Sequence, residues 1–203
     1  MIITKHSKYA YIIKDLFDGQ EISDIYDEVA GSYNLTMSKK ERSGGESDPQ
    51  WRALFKVGSG VGDNPLLLKF APRIKIAALK TLKPTFPIHL DRINTNLQYK
   101  YQDSTFHTDG GTNDSGENIW TWTFMICAQT YWNTAFGGEF CYQDFDGDYH
   151  YIPYIPGNCI FFNGLTEHKG NAPNTMATVP RLTIAYTFRN YDISTADPYK
   201  EFD

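Results

Sequence analysis

His107 and Asp109 stand two residues apart in Thr105-Phe106-His107-Thr108-Asp109. On a strand, residues i and i+2 point to one face, so this imidazole and this carboxylate can reach the same ion. By itself such a pair also suits a turn-end histidine hydrogen-bonded to a carboxylate. A third ligand must come from elsewhere, and His168 offers it, at the end of Phe161-Phe162-Asn163-Gly164-Leu165-Thr166-Glu167-His168. Two imidazoles and one carboxylate on one face of a metal leave three adjacent positions open to other molecules.

The stretch that follows adds weight. Arg181 to Arg189 alternates strictly, with Leu182, Ile184, Tyr186 and Phe188 on one face. Arg181, Thr183, Ala185, Thr187 and Arg189 make the other. An apolar face backed by Arg and Thr is unusual for a plain core strand and makes sense if the polar face lines a cavity.

The order His-x-Asp, distal His, then Arg-x-Thr resembles the 2-oxoglutarate/Fe(II) dioxygenases, specifically their prolyl 4-hydroxylase-like branch. Gly137-Gly138-Glu139-Phe140 resembles the Gly-Gly-Glu that follows the next strand in that family. Ile155-Pro156-Gly157-Asn158-Cys159-Ile160-Phe161-Phe162 resembles its lead-in to the distal His, one residue short before the Gly. Tyr99 stands near the place of a cofactor-contacting Tyr, one residue off the usual offset, and Tyr101 competes with it. The resemblance covers about residues 90–189.

That resemblance implies a double-stranded β-helix (jelly roll) with the metal in the mouth of the barrel. Fe(II) would sit on His107, Asp109 and His168. The co-substrate 2-oxoglutarate would chelate the iron and pair its far carboxylate with Arg181, whose planar fork matches a carboxylate, helped by Thr183 and Tyr99. Arg189, on the same strand face, is the rival for that contact. O2 would be the other co-substrate and ascorbate an accessory reductant. The intact Asp109 favours hydroxylation over halogenation, because family members that halogenate lack that carboxylate. The expected substrate is a prolyl residue in a peptide or protein. Alternatives are a free amino acid or small molecule, a nucleic-acid demethylase, and a non-catalytic metal-binding jelly-roll module.

The elements that must position these groups follow from local patterns. Tyr9 to Ile13 predicts a short strand, and a helix is expected from about Ser23 to Ala30. Met37 to Gln50 reads as a polar loop. Asn64-Pro65 predicts a capped helix that reaches about Leu82 and kinks at Pro72. After Leu90 short strands take over: Arg92–Tyr101, Phe106–Asp109, Trp120–Gln129, Gly138–Asp144, Tyr149–Ile152, Cys159–Phe162 and Arg181–Arg189. Asp146-Gly147 marks a hairpin between two of them. The chain is expected to be one domain over residues 1–203, with a helical support region over 1–90 and a jelly-roll core over 91–190. Gly110 to Asn118 is expected to act as a lid over substrate, and the aromatics Trp120, Trp122, Tyr131 and Trp132 to divide between core and a peptide groove.

The 203 residues are 41% hydrophobic and 21% charged, which excludes disordered and collagen-like classes. A net charge of -5 lacks the footprint of a general nucleic-acid or anionic-membrane binder. No run approaches 18 apolar residues, and the first residues lack the apolar core of a secretory signal. Cys127, Cys141 and Cys159 are odd in number and far apart, so buried free thiols in a reducing, cytoplasmic setting are expected.

Overall fold

A computed structural model describes residues 1–31, 36–38, 50–56, 64–110 and 119–189, with backbone only for 36–38 and 50–56. The strands are β1 (Ile2–Lys5), β2 (Ala10–Lys14), β3 (Thr36–Ser38), β4 (Gln50–Lys56), β5 (His89–Gln98) and β6 (Thr121–Cys127). They continue with β7 (Phe140–Gln143), β8 (Tyr149–Ile152), β9 (Cys159–Asn163), β10 (Glu167–Gly170) and β11 (Arg181–Arg189). Two helices precede β5: α1 (Gly19–Ala30) and α2 (Pro65–Leu82). Eight strands form one sheet in the order β1-β2-β9-β6-β11-β5-β4-β3, and three form a second, β10-β7-β8. Every pairing is antiparallel. This is a double-stranded β-helix, as expected.

Each strand of the large sheet divides its side chains between two layers, as period-2 alternation requires. On β11, Leu182, Ile184, Tyr186 and Phe188 pack with Ile22 and Ile25 of α1 and Phe70 and Ile74 of α2 in one core cluster. The Tyr186 hydroxyl donates to the Leu67 carbonyl at 2.8 Å, tying the sheet to α2. The opposite face meets the small sheet in a second cluster built around Met125, Trp132, Phe140, Tyr142, Tyr154 and Phe162. Beyond that cluster the same face turns polar, and the functional residues lie there.

Helix α1 starts earlier than the expected Ser23 because Asp18 and Glu21 form a capping box. The Glu21 N–H donates to Asp18 Oδ1 at 2.8 Å and the Asp18 N–H to Glu21 Oε2 at 3.1 Å. Glu21 also accepts both guanidinium nitrogens of Arg73 on α2, at 2.6 and 2.7 Å. The Arg73 hydrogen bonds hold the Glu21 carboxyl below its ordinary value. Glu21→Ala is therefore expected to cost about 1–2 kcal/mol, mostly from the lost cap because the pair is partly solvated. A carboxyl depressed in the folded state stabilises above its unfolded pKa and loses that contribution as pH falls through its folded value. Urea titrations should accordingly show the wild-type advantage at pH 7 shrinking below about pH 4.

Several boundaries differ from expectation. The first 90 residues are not only helical support, since β1 to β4 extend both edges of the large sheet. Met37 and Ser38 lie in β3 and Gln50 begins β4, while residues 39–49 of the expected loop fall outside the described residues. Helix α2 continues through Pro72. Strand β5 ends at Gln98, where the Gln102 N–H turns back to the Tyr99 carbonyl and Tyr101 takes φ +68°. The Phe106–Asp109 strand is reduced to a single bridge between His107 and His168. The three cysteines are free and buried. Among the described residues no helix is long and apolar enough to cross a membrane.

Candidate metal and co-substrate site

The bridge that replaces the expected strand positions two of the ligands. His107 and His168 exchange backbone hydrogen bonds of 3.0 and 2.8 Å, which sets their rings 4.5 Å apart. Each ring is then fixed by its own chain. His107 Nδ1 meets the Thr105 carbonyl at 3.1 Å, and His168 Nδ1 meets the Thr166 carbonyl at 2.9 Å. A carbonyl oxygen only accepts, so each Nδ1 carries a proton, and in the neutral imidazole Nε2 is the nitrogen with the lone pair for a metal. Buttressing of this kind fixes the tautomer and ring orientation of metal-bound histidines.

Asp109 closes the set. Its N–H donates to the Gly164 carbonyl at 2.8 Å. Gly164 is needed at that approach, because a Cβ there would come within 2.8 Å of Thr121 and 3.1 Å of Asp109. The Thr123 hydroxyl donates to Asp109 Oδ2 at 2.5 Å, and Arg92 Nη2 lies 3.2 Å from Oδ1. Burial pushes the Asp109 carboxyl up, but His168, Arg92, the Thr123 hydrogen bond and His107 together outweigh it and hold the group below its ordinary value. Ligand atoms of His107, Asp109 and His168 all lie within 4.8 Å of one another. His168 Nε2 and Asp109 Oδ2 face each other at 3.6 Å. A cation shared between these two atoms, a proton on the imidazole or a metal ion, satisfies both, and imidazole with carboxylate donors suits a divalent transition metal.

Deeper along the same face is a buried cation. Arg181 is 3% exposed; its Nε donates to the Gly138 carbonyl at 2.8 Å and its Nη1 to Gln98 Oε1 at 3.1 Å. The guanidinium also lies over the Tyr154 ring. Burial lowers its proton affinity, and among the described residues no carboxylate pairs with it. Its Nη2 and the Thr183 hydroxyl, both buried, make no hydrogen bond. Glu139 acts on Arg181 only through longer-range charge, so a desolvated guanidinium with an unsatisfied donor beside an unsatisfied hydroxyl calls for an anionic acceptor. Two glycines make room for the Arg181 side chain. A Cβ on Gly138 would sit 3.2 Å from Arg181 Cδ, and one on Gly170 would sit 2.7 Å from Nη1. Gly170 is two residues beyond His168 on β10, about 7 Å of strand, so the strand that carries the second histidine also runs beside the guanidinium.

The structure thus brings together His107, Asp109 and His168, and places the Arg181 guanidinium beside Gly170, two residues beyond His168, with Thr183 on the same face of β11. Tyr99 is not with them: it is 46% exposed past the end of β5, and Tyr101 is more exposed still. Gln98, one residue earlier and buried, points inward and holds Arg181. Arg189 sits at the far end of β11 from Arg181, its Nε 3.4 Å from Asp91. Trp122 and Trp132 are core residues, Trp120 packs on Phe86, and Tyr131 is exposed. Residues 111–118 of the expected lid lie outside the described residues. Arg92, Thr123 and Gln98 escaped the sequence reading. The signal was present, since Arg92, Asn94, Asn96 and Gln98 alternate with Ile93, Thr95 and Leu97 as the polar face of β11 does.

Neither protein-family models nor curated protein sequences match this chain. Solved structures do match in fold. A viral collagen prolyl hydroxylase from Paramecium Bursaria Chlorella virus-1, in complex with 2-oxoglutarate, superposes with a TM-score of 0.66 at 16% identity, covering 91% of this chain and 98% of that one. A 2OG-Fe(II) oxygenase family oxidoreductase from Burkholderia pseudomallei gives 0.68 at 13% identity, covering 90% and 86%. The non-heme alpha-ketoglutarate-dependent epimerase SnoN from nogalamycin biosynthesis gives 0.65 at 14%, covering 94% and 88%. The chain therefore has the double-stranded β-helix fold of the 2-oxoglutarate/Fe(II) oxygenases. At such identities the likeness carries the fold, and the chemistry must be argued from the residues.

Proposed function

We propose that this protein is a 2-oxoglutarate- and Fe(II)-dependent dioxygenase that hydroxylates prolyl residues in a peptide or protein. The observation that carries the oxygenase reading is a His-Asp-His set with, beside the strand of its second histidine, a buried arginine that forms no ion pair among the described residues. His107, Asp109 and His168 would hold the iron through the Nε2 atoms of the two imidazoles and one carboxylate oxygen. Arg181 and Thr183 would receive the far carboxylate of the co-substrate, satisfying the two unmet donors. A single-headed acid could meet one of these two stations; a short dicarboxylate that also chelates metal meets both. When bound, iron, 2-oxoglutarate and O2 supply the oxidation, in which the co-substrate becomes succinate and CO2 and one oxygen atom enters the substrate.

The chain's own contribution is orientation. Thr105 and Thr166 hold the imidazole tautomers, Thr123 and Arg92 hold the carboxylate, and Gln98 with the Gly138 carbonyl aims Arg181. The second core cluster keeps water from the Arg181 end, where Tyr154 and Trp132 are buried. A consequence is that Gly170→Ala, which drives a methyl into Nη1 of Arg181, should weaken 2-oxoglutarate binding at least about tenfold while leaving metal binding intact. Calorimetric titration of the metal-loaded variant checks this.

The prolyl assignment is supported by the likeness to a viral collagen prolyl hydroxylase over nearly the whole of that chain. Its test is incubation with iron, 2-oxoglutarate and O2 over a panel of proline-rich peptides, free amino acids and other small molecules. Peptide-stimulated succinate and a one-oxygen mass gain on proline are expected. Succinate stimulated only by free amino acids or small molecules would transfer the same chemistry to another substrate.

A further inference from the structure

We propose that Arg92 is a positioning residue that restricts Asp109 to one metal-binding oxygen and so keeps open the positions the co-substrates need. This rests on the metal reading above and goes beyond it. Arg92 lies on β5 directly across from Thr187 of β11, and the Thr187 hydroxyl is 3.4 Å from that of Thr123. Asp109 is thus gripped from two strands, by Thr123 on β6 at Oδ2 and by Arg92 on β5 at Oδ1. Oδ2 is the oxygen that faces His168. Arg92 Nη2 also approaches the Asp109 carbonyl at 3.4 Å, so the guanidinium follows both the side chain and the backbone of the ligand.

Arg92 is itself held in place. Its Nη1 donates to Asp91 Oδ2 at 2.9 Å, and the same oxygen lies 3.4 Å from Arg189 Nε. Charges therefore alternate along Arg189, Asp91, Arg92 and Asp109, each with about a fifth or less of its side chain exposed. In so sheltered a chain the guanidinium has little freedom to leave Oδ1.

The consequence concerns coordination number. A six-coordinate ion held by two imidazoles and one carboxylate oxygen has three positions left, two for a chelating 2-oxo acid and one for O2. A carboxylate that used both oxygens would take a fourth position and leave too few. By occupying Oδ1, Arg92 prevents that, and its positive charge also opposes the metal's own. Removing it should bind the metal no less tightly and the co-substrate more weakly. A merely structural arginine would weaken both together.

The experiment is calorimetric titration of the apo protein with Co(II), then of the Co(II)-loaded protein with 2-oxoglutarate, for wild type, Arg92→Met and Arg92→Lys. Arg92→Met is expected to keep or tighten Co(II) binding while losing at least about tenfold in 2-oxoglutarate affinity. Arg92→Lys keeps a charge and a donor near Oδ1 and should recover part of that loss. Parallel losses of both affinities in Arg92→Met, or no loss of either, would overturn the proposal. Wild-type protein that fails to bind Co(II) would instead overturn the metal reading, and this inference with it.

Discussion

Arg181→Ala is expected to lower affinity for 2-oxoglutarate by about two to three orders of magnitude, with metal binding preserved. The size follows from what the residue would do. Truncating one partner of a buried, hydrogen-bonded charge pair costs about 2–5 kcal/mol, much of it from the partner left without compensation. Here the partner would be a carboxylate already stripped of water between Gly170, Thr183 and Tyr154. The variant also leaves the Gly138 carbonyl and Gln98 Oε1 without their donor, so folding must be measured alongside. Arg181→Lys separates the effects. It retains a charge but cannot reproduce the fork geometry of the guanidinium, so partial recovery is expected rather than full. Calorimetry on the metal-loaded variants reads the affinity, and equal 2-oxoglutarate binding by wild type and Arg181→Ala would contradict the assignment.

Asp109→Asn should remove metal binding at neutral pH while leaving the fold in place. The amide cannot supply an anionic ligand, yet its NH2 can donate to His168 Nε2, which now faces an acceptor at 3.6 Å. That hydrogen bond offsets loss of the Arg92 pair, so the apo variant should melt close to the apo wild type. The large effect lies in the response to metal. A ligand at a hundred times its Kd stabilises the folded state by about 2.7 kcal/mol. For a chain of this size that corresponds to a Tm rise of about 5–10 °C. Wild type should show such a rise with Fe(II) under anaerobic conditions, or with Co(II), and Asp109→Asn should show none. An undiminished rise in the variant would mean that the ion binds elsewhere.

Much of this site was legible in the sequence because strands report through alternation. His107-x-Asp109 and the polar face of Arg181 to Arg189 each follow from period two, and the fold places both where that reading puts them. Many short strands after residue 90 pointed to a β-sandwich or barrel, and the jelly roll itself followed from the family resemblance. Tyr99 failed for a local reason: β5 stops one residue earlier, where Gln102 and the left-handed Tyr101 turn the chain outward. The inward position then falls to Gln98. Alternation marks Arg92 as a polar-face residue, but its role and that of Thr123 depend on contacts with Asp109 from strands distant in sequence, which no spacing rule reveals. Gly138 and Gly170 are similar. Gly170 must leave room for an arginine side chain from another strand, and Gly138 combines a positive φ of 77° with the close approach of Trp132 and Arg181. Of the strands in the first 90 residues β2 was read from its apolar run, whereas β1 and β3 are short edge strands with too few residues to show a period.

The most direct test of the whole account is succinate formation from 2-oxoglutarate with Fe(II) and O2, compared between wild type, Asp109→Asn and Arg181→Ala across the substrate panel. Wild type should consume 2-oxoglutarate and release equimolar succinate, and both variants should fall by at least about a hundredfold. An iron-loaded wild type that binds no 2-oxoglutarate and forms no succinate with any member of the panel would contradict it, and would leave a jelly-roll module that holds metal without oxidising anything.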